Sequence, residues 1–303
     1  MDPDGGADGV DRSLLQADEK VLLVDAKQRR YLLTLRVGAS FHTHVGIVAH
    51  DDLIGAYEGS TVLGSTGRRF LVVRPTLAET VLKMPRGAQV IYPKDLAAIL
   101  MEADIAPGMA VLEAGVGSGA LSMAMLRAGA SVVGYELRED FAARARSNVA
   151  ATVGAAAYRV ELRDVYEGIE ERGLDRVVLD LPEPWRVVVH AEAALRPGGM
   201  ICAYLPTINQ TSHFRQALEG SAFGMAGTLE VLHRTWHIED RSVRPDHRMV
   251  GHTGFVTTAR LLRPEKLGSR PGEPGPPQSE SEPADGDRFG RVDGDGRSGS
   301  TPD

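Results

Sequence analysis

The pattern of apolar and polar positions changes near residue 92 of this 303-residue chain. Over residues 15–90, short apolar runs alternate with turn-forming glycines, which is typical of a small β domain. Over residues 91–264, runs of strand length alternate with amphipathic stretches of helical spacing, which predicts an α/β fold around a mainly parallel sheet. The last two β-rich runs, 228–237 and 250–262, follow one another without a helix. They predict an antiparallel pair at one edge of that sheet.

The two ends of the chain depart from this pattern. Residues 1–14 carry four Asp and one Arg. Residues 265–303 hold six of the 17 Pro and eight of the 34 Gly, with few large apolar side chains. Segments of this composition cannot bury enough surface to offset the entropy of ordering them, so we expect both ends to be disordered.

The charge distribution changes what the composition implies about nucleic acids. A formal net charge of −7 argues against an RNA partner, because phosphate contacts need Lys and Arg. However, the ends contribute −3 and −4, so residues 15–264 are neutral, and residues 15–90 carry ten bases against seven acids. These bases form either an RNA-facing surface or an ordinary solvated face. Any RNA binding must use local basic patches and should weaken with added salt.

Cysteine content and hydropathy predict a cytoplasmic protein with no membrane partner. A single Cys cannot form an internal disulfide, which fits a reducing compartment. No apolar run approaches the roughly 18 residues that a membrane span requires. The acidic beginning of the chain also lacks the apolar region of a signal peptide.

A glycine-rich turn provides the first candidate for ligand binding. Gly115, Gly117 and Gly119 follow a predicted buried strand and open a predicted helix, so the backbone there can approach a ligand closely. This turn alone also fits a dinucleotide enzyme. However, its G-x-G-x-G spacing lacks the third glycine of the dinucleotide motif. The preceding acid, Glu113, is typical of class I S-adenosylmethionine (SAM) methyltransferases.

Acidic residues end the next two predicted strands. Glu136 lies 17 residues after Gly119, where a carboxylate can accept hydrogen bonds from ribose hydroxyls. Asp164 would then face an adenine ring, as the corresponding acid does in SAM enzymes. The alternative for Glu136 is a surface acid at the end of a strand. Because ligands of open α/β sheets lie across the carboxyl ends of the strands, the two acids and the glycine turn form a coherent set.

The sequence Asp-Leu-Pro-Glu-Pro-Trp at 180–185 ends the fourth strand of this region. Its two prolines impose a stiff, extended backbone just outside the sheet. Enzymes that methylate amino groups of bases use a similar rigid loop, so Asp180 is a candidate acceptor for an adenine amino group. The alternative is an Asp that caps a turn. For Trp185, core packing and base stacking both stay open.

Several separate motifs, in one order, resemble the bacterial and archaeal tRNA (adenine-58-N1)-methyltransferases. The resemblance covers about residues 15–264. The motifs that carry it are QVIYPKD at 89–95, VLEAGVGSGALS at 111–122, the Tyr-Glu pair at 135–136, DLPEPW at 180–185, AYLPTINQ at 203–210 and RPDHRMVGHTGF at 244–255.

The resemblance implies a Rossmann-like, seven-stranded SAM-binding catalytic domain over 91–264. A small β domain over 15–90 would precede it and would face RNA or form the oligomer. It further implies a homotetramer that methylates N1 of adenine 58 in the T-loop of tRNA, with SAM as methyl donor. No metal is implied.

The resemblance also assigns roles to individual residues. Asp180 matches the catalytic aspartate of the family, and Tyr92 and Tyr204 match aromatic positions that line the target-base pocket. His247, in the last motif, either shapes that pocket or packs. The positions expected to bind SAM are Gln89, Gly115, Gly117, Ser118, Gly119, Ala120, Glu136 and Asp164.

Three other functions compete with this one. A SAM enzyme that acts on a small molecule or a protein carboxylate would share the glycine turn but would not need the DLPEPW loop or the β domain. A nicotinamide dehydrogenase would share the sheet. A non-catalytic RNA-binding subunit would be expected to lose both the glycine turn and Asp180, and this chain keeps both.

Overall fold

The computed structural model of the chain describes residues 13–87 and 89–263. The disorder expected for 1–14 and 265–303 therefore falls on residues outside these ranges, apart from Ser13 and Leu14. Leu14 forms an antiparallel bridge with Tyr57, so it belongs to the folded N-terminal part.

The N-terminal part is built from short antiparallel strands. They are β1 (Lys20–Asp25), β2 (Arg30–Thr34), β3 (Ser40–Thr43), β4 (Gly46–Ala49), β5 (Thr61–Leu63) and β6 (Arg69–Val73). Four of them form a sheet in the order β2-β1-β6-β5, and β3 pairs with β4 as a separate hairpin. The alternating apolar positions of β1 and β6 place Leu23, Phe70 and Val72 in one buried cluster. This part agrees with the β-rich pattern of the sequence.

A short helix, α1 (Leu77–Lys83), follows these strands and was not predicted. Its signal is nevertheless present in the sequence as a capping box. The Thr76 hydroxyl accepts the Glu79 N–H, and the Glu79 carboxylate accepts the Thr76 N–H. Glu79 also pairs with Arg30 of β2 at 2.8 Å, which fixes the helix to the N-terminal sheet.

The remaining strands and helices form the larger, α/β part of the chain. The strands are β7 (Ala110–Ala114), β8 (Ser131–Glu136), β9 (Tyr158–Leu162), β10 (Leu174–Leu179), β11 (Leu195–Leu205), β12 (Phe223–Glu230), β13 (Trp236–Glu239), β14 (Ser242–Pro245) and β15 (Phe255–Leu261). The helices are α2 (Pro93–Glu102), α3 (Ala120–Arg127), α4 (Glu139–Ala150), α5 (Val188–Ala194) and α6 (Ile208–Glu219), and a 3-10 turn (Pro184–Val187) precedes α5.

Seven of these strands form one sheet in the order β12-β15-β11-β10-β7-β8-β9. Strands β11, β10, β7, β8 and β9 are parallel, whereas β15 is antiparallel to both β11 and β12. Both the predicted fold class and the antiparallel pair at one edge are confirmed. The buried strand residues separate into two apolar clusters, one on each face of the sheet.

The predicted bounds of the two antiparallel strands were wrong. β12 ends at Glu230 and β15 begins at Phe255, and the β13–β14 hairpin, which was not predicted, lies between them. The chain leaves the sheet at Val231, whose carbonyl accepts a hydrogen bond from the Lys94 ammonium. Because this contact joins residues far apart in sequence, local periodicity could not reveal it.

The order of the strands determines where a ligand can lie. Starting from β7, the chain builds outward through β8 and β9 on one side and through β10 and β11 on the other. The carboxyl ends of β7 and β10 therefore flank the topological switch point, where open α/β sheets bind ligands. Within the described ranges, no helix is both long and apolar enough to cross a bilayer.

Candidate active site

The glycine turn lies between β7 and α3, at the switch point. Gly115 has φ +86°, and a β-carbon there would collide with the carbonyl oxygen of Asp180. Gly119, with φ +82°, is the N-cap of α3, and a β-carbon there would press on Ala145 of α4 at 3.3 Å. Gly117 has φ +56° and open space beside its α-carbon. Two of the glycines thus allow close packing, and the third leaves a gap that faces outward.

Glu136, at the end of β8, braces this turn. Its carboxylate accepts the Gly117 N–H at 3.0 Å, and it also accepts the N–H groups of Leu137 and Arg138. Asp164, two residues beyond β9, accepts the Tyr166 N–H at 2.9 Å. Both carboxylates are therefore fixed by backbone N–H groups at the carboxyl ends of neighbouring strands.

Two small compartments meet at Gly115 and form the floor of a groove along the strand ends. One has a volume of about 60 Å³ and is lined by Glu136, Asp164 and Leu181, among others. The other has a volume of about 20 Å³ and is lined by Gln89, Asp180 and the glycine turn, including Ser118 and Ala120. The structure thus gathers Asp180 and the predicted cofactor-binding residues around these two adjoining compartments, except for Gly119, which lines neither of them.

Asp180 is the least satisfied acid in this groove. Its backbone N–H donates to the Ala114 carbonyl at 2.9 Å, which fixes the end of β10 against β7. Its carboxylate forms no hydrogen bond with any other described residue. Burial raises the pKa of this carboxyl group to about 7. A partly buried carboxylate without a partner is costly, which suggests that it is kept for a ligand.

Glu113, on β7, is a second acid under the groove, and it is fully buried. One carboxylate oxygen accepts a hydrogen bond from the Ser122 hydroxyl, and the other has no partner among the described residues. Burial, together with the charges of Asp180 and Glu136, outweighs the hydrogen bond from Ser122 and raises the pKa of Glu113 to about 8. Ser118 also has a buried hydroxyl without a partner in the described part of the chain.

The DLPEPW loop is held from both sides. The Gln210 side chain donates to the Pro182 carbonyl at 2.9 Å, and the Glu183 N–H donates to the Tyr166 hydroxyl at 3.2 Å. Trp185 packs on the sheet core and meets the His213 ring edge-on, with 5.4 Å between ring centroids. Of the two roles left open for Trp185, its packing therefore supports the core role.

Tyr92 lies on a second, larger groove. It is the N-cap of α2, next to Ile91, which lines the compartment of Asp180. The larger groove has a volume of about 690 Å³ and is mostly apolar. Its walls come from α1, the start of α2 and the segment 231–250. Consecutive residues of the QVIYPKD motif thus face the two grooves.

The structure does not bring Tyr204 and His247 to the surface of that groove. Tyr204 is only 8% exposed, and its hydroxyl donates to Asp95 at 3.2 Å. Burial raises the pKa of Tyr204. Tyr204 follows Ala203, the β11 partner of Leu179, and Asp180 follows Leu179. His247 is exposed on the chain after β14, and the groove is lined by its neighbours, including Arg248 and Met249.

A polar network behind these residues was not predicted from the motifs. Lys94, Asp95 and Thr253 belong to quoted motifs, but none of them was singled out as functional. They are joined by hydrogen bonds of 2.6 to 2.7 Å. An acid within an apolar helix face was the available signal, since a buried carboxylate needs a partner.

Comparison with known proteins decides the family. The model for the GCD14 subunit of the tRNA methyltransferase complex matches residues 70–246, and a TrmI-like N-terminal model matches residues 14–62. TrmI of Thermus thermophilus, a tRNA (adenine(58)-N(1))-methyltransferase, is 40% identical over 244 residues, which cover 79% of this chain and 96% of the relative. The chain belongs to the TrmI family of tRNA methyltransferases.

A second relative and two solved structures match nearly the same part of the chain. The Methanocaldococcus jannaschii enzyme, named for adenines 57 and 58, is 36% identical and covers 81% of this chain and 96% of its own. The TrmI structure from Aquifex aeolicus superposes with a TM-score of 0.74 at 28% identity, covering 83% of this chain and all of the other. A Thermotoga maritima structure, named a SAM-dependent O-methyltransferase, gives a TM-score of 0.81 at 30% identity, covering 85% and 98% of the two chains.

Proposed function

We propose that this TrmI-family enzyme transfers a methyl group from SAM to N1 of adenine 58 in the T-loop of tRNA. The observation that carries the proposal is the Asp180 carboxylate, which has no hydrogen-bond partner among the described residues and lies beside the glycine turn at the switch point of the sheet. The identity to Thermus TrmI over nearly all of that relative's length supports the choice of substrate.

The residues around the groove fit SAM. The gap beside Gly117 and the free hydroxyl of Ser118 suit a ligand that lies on the N-terminus of α3. Glu136 and Asp164 offer acceptors for ribose hydroxyls and an adenine amino group, and Gln89 and Ala120 border the opposite end of the groove. When bound, SAM supplies a methyl group activated by a sulfonium charge.

Asp180 then acts on the nucleobase. Its ionised carboxylate accepts a hydrogen bond from the exocyclic amino group of adenine, which orients N1 and raises the electron density of the ring. Methylation at N1 makes the base cationic, and a fixed carboxylate in a dry groove stabilises that charge more than water would. The rest of the protein's contribution is alignment, which can lower the barrier by several kcal/mol or more.

The target adenine must leave the RNA stack to reach Asp180. We propose that it is flipped into the larger groove, where Tyr92 stacks on or orients it. Tyr204, whose hydroxyl donates to Asp95, supports the start of α2 beside Tyr92, and His247 contacts RNA from the exposed chain after β14. Methylation of adenine 57 as well would match the Methanocaldococcus relative.

We also propose that the enzyme assembles as a homotetramer in the cytoplasm. Support comes from the segment 231–250, where six large apolar side chains are 43% or more exposed in this single chain. They are Leu232, Trp236, Ile238, Val243, Met249 and Val250. Apolar surface of this extent favours burial against another subunit. Light scattering should therefore give four chain masses, and a monomer would contradict this proposal.

The name of the Thermotoga neighbour favours a second candidate, methylation of oxygen in a small molecule or a protein carboxylate. Incubation with tritiated SAM, unmodified tRNA transcript and a mixture of carboxyl-bearing proteins separates the two. We expect tritium in the RNA, in a form that mild alkali does not release as volatile methanol. Counts found only on protein and released by alkali, as from methyl esters, would overturn the tRNA assignment.

A further inference from the structure

A segment of about twenty residues leaves the seven-stranded sheet between β12 and β15. Two neighbouring sets of polar contacts, here called the first and second pin, hold the two ends of this segment close together. The segment, residues 231–250, contains the β13–β14 hairpin and forms one wall of the larger groove. Tyr92 and Lys94, at the start of α2, lie on the opposite side of that groove. The shape of the groove therefore depends on how the segment is held against α2.

The first pin is a closed set of buried polar contacts. The Lys94 ammonium donates to the Asp95 carboxylate at 2.7 Å, to the Val231 carbonyl at 2.7 Å and to the Thr253 hydroxyl at 2.6 Å. Thr253 in turn donates to the second oxygen of Asp95 at 2.6 Å. The Lys94 side chain is 9% exposed and the Asp95 side chain is completely buried. All three ammonium hydrogens are thus used, and both ends of the segment meet one helix.

The second pin lies directly beside the first. One ring nitrogen of His252 is 2.6 Å from the Glu230 carboxylate, and the other is 2.7 Å from the Pro206 carbonyl. The His252 pKa is raised by the hydrogen bond to Pro206 and by Glu230. Residues 230 and 231 are therefore tied to residues 252 and 253, and both pairs are tied to neighbouring parts of the α/β fold.

The same contacts lead to the catalytic groove. The Asp95 oxygen that binds Thr253 also accepts the Tyr204 hydroxyl. Tyr204 follows Ala203, which pairs with Leu179 of β10, and Asp180 directly follows Leu179. Asp95 is in the first turn of α2, three residues after Tyr92. A shift at Thr253 would therefore move the groove wall and the Tyr204 ring together, without touching the glycine turn.

Stability alone does not account for this arrangement. A buried ion pair is often no more stabilising than apolar side chains of similar volume, whereas its fixed geometry specifies one arrangement of the chain. Here the geometry fixes the two ends of the segment 231–250 relative to Tyr92.

We propose that Lys94, Asp95 and Thr253 form a positioning clasp that sets the shape of the nucleobase groove. The clasp residues do not touch the reacting atoms. They act by holding the segment 231–250 and Tyr204 in place for the flipped base. The role assigned to the groove rests on the proposed function, but the hold of the clasp on the segment does not.

Thr253→Val tests the clasp, because it removes one hydroxyl and keeps the volume. We expect kcat/KM for tRNA to fall by on the order of 10- to 100-fold, with unchanged equilibrium binding of SAM. Hydrogen exchange of amides in 231–250 should become faster, while exchange in β7 and β10 stays the same. Thr253→Ser keeps the hydroxyl and should restore both properties.

Thr257→Val is the matched control. Thr257 is fully buried, lies on β15 and bonds to the Thr228 hydroxyl at 2.9 Å, outside the clasp. It should change stability without changing kcat/KM for tRNA. The proposal fails if Thr253→Val, like Thr257→Val, changes stability but not kcat/KM for tRNA. It also fails if Thr253→Val weakens SAM binding as much as it lowers kcat/KM for tRNA, because the clasp is then merely structural.

A double variant guards against loss of folding. Lys94→Met with Asp95→Leu removes both charges, so no uncompensated charge stays buried. We expect a folded enzyme that binds SAM and still has a low kcat/KM for tRNA, and full activity would overturn the proposal. If the wild-type enzyme fails to methylate tRNA, the proposed function is wrong. Hydrogen exchange of amides in 231–250, compared between Thr253→Val and wild type, then still tests whether the clasp holds the segment.

Discussion

Two carboxyl groups under the catalytic groove hold their protons more tightly than free carboxylic acids do. Burial raises the pKa of Asp180 to about 7 and that of Glu113 to about 8. In the free enzyme, these two carboxyl groups therefore gain or lose their protons near neutral pH. Cationic ligands, such as a sulfonium compound or a methylated adenine, favour the ionised forms.

This shift predicts opposite effects of pH on stability and on activity at Asp180. The folded-state pKa lies above the ordinary value of 3.8, so the unfolded chain loses this proton first and the stability due to the group falls as pH rises toward 7. Asp180→Asn cannot ionise. We expect its unfolding free energy, relative to wild type, to increase between pH 4 and pH 8, while its methyl transfer is lost.

Asp175→Asn, at the other end of β10, serves as the control, because the pKa of Asp175 is shifted in the opposite direction. Burial raises the Asp175 pKa, but hydrogen bonds from the Ala110 N–H and Arg196 outweigh burial and leave it below the ordinary value. That variant should lose stability at pH 7, and the loss should shrink as pH falls through the lowered pKa. Urea unfolding at several pH values measures both, and parallel pH profiles for the two variants would contradict the account.

At the scale of elements, the turn between β7 and α3 depends on glycine for two separate reasons. Gly115→Ala would strain a positive φ and also drive a methyl group into the Asp180 carbonyl. We expect a loss of stability of more than about 2 kcal/mol together with weakened SAM binding, because the strand ends must separate.

Gly154→Ala separates the two effects. Gly154 has φ +80°, and its α-carbon faces open space, so only the cost of the conformation remains, roughly 1 to 2 kcal/mol. Thermal unfolding and calorimetric titration with SAM compare the variants. Equal losses for Gly115→Ala and Gly154→Ala would show that the contact with Asp180 has no role.

The elements that the sequence predicted are those with local signals. Alternating apolar runs predicted the parallel strands, and the glycine spacing predicted the turn between β7 and α3. The β13–β14 hairpin was missed because the chain leaves the sheet at Val231 through a contact with Lys94, over a hundred residues away. The burial of Tyr204 against Asp95 depends on a similar long-range contact. Helix α1 differs, since its capping box was readable and was overlooked.

At the scale of the whole molecule, the net charge of −7 belongs to the ends of the chain, and residues 15–264 are neutral. A neutral body does not attract RNA strongly over long distances. Recognition of tRNA must then come from local basic groups and from the shape of the groove beside Tyr92. Exact placement of the groove walls therefore matters more here than overall electrostatic attraction.

The proposed reaction methylates one nucleobase position in tRNA. The most direct measurement is mass spectrometry of ribonuclease fragments and nucleosides after an unmodified tRNA transcript is incubated with the enzyme and SAM. We predict 1-methyladenosine in the fragment that contains position 58. It should be absent with Asp180→Ala and with a transcript that has uridine at that position. Methylation only in other fragments, or a methylated adenosine formed equally well by Asp180→Ala, would contradict the account.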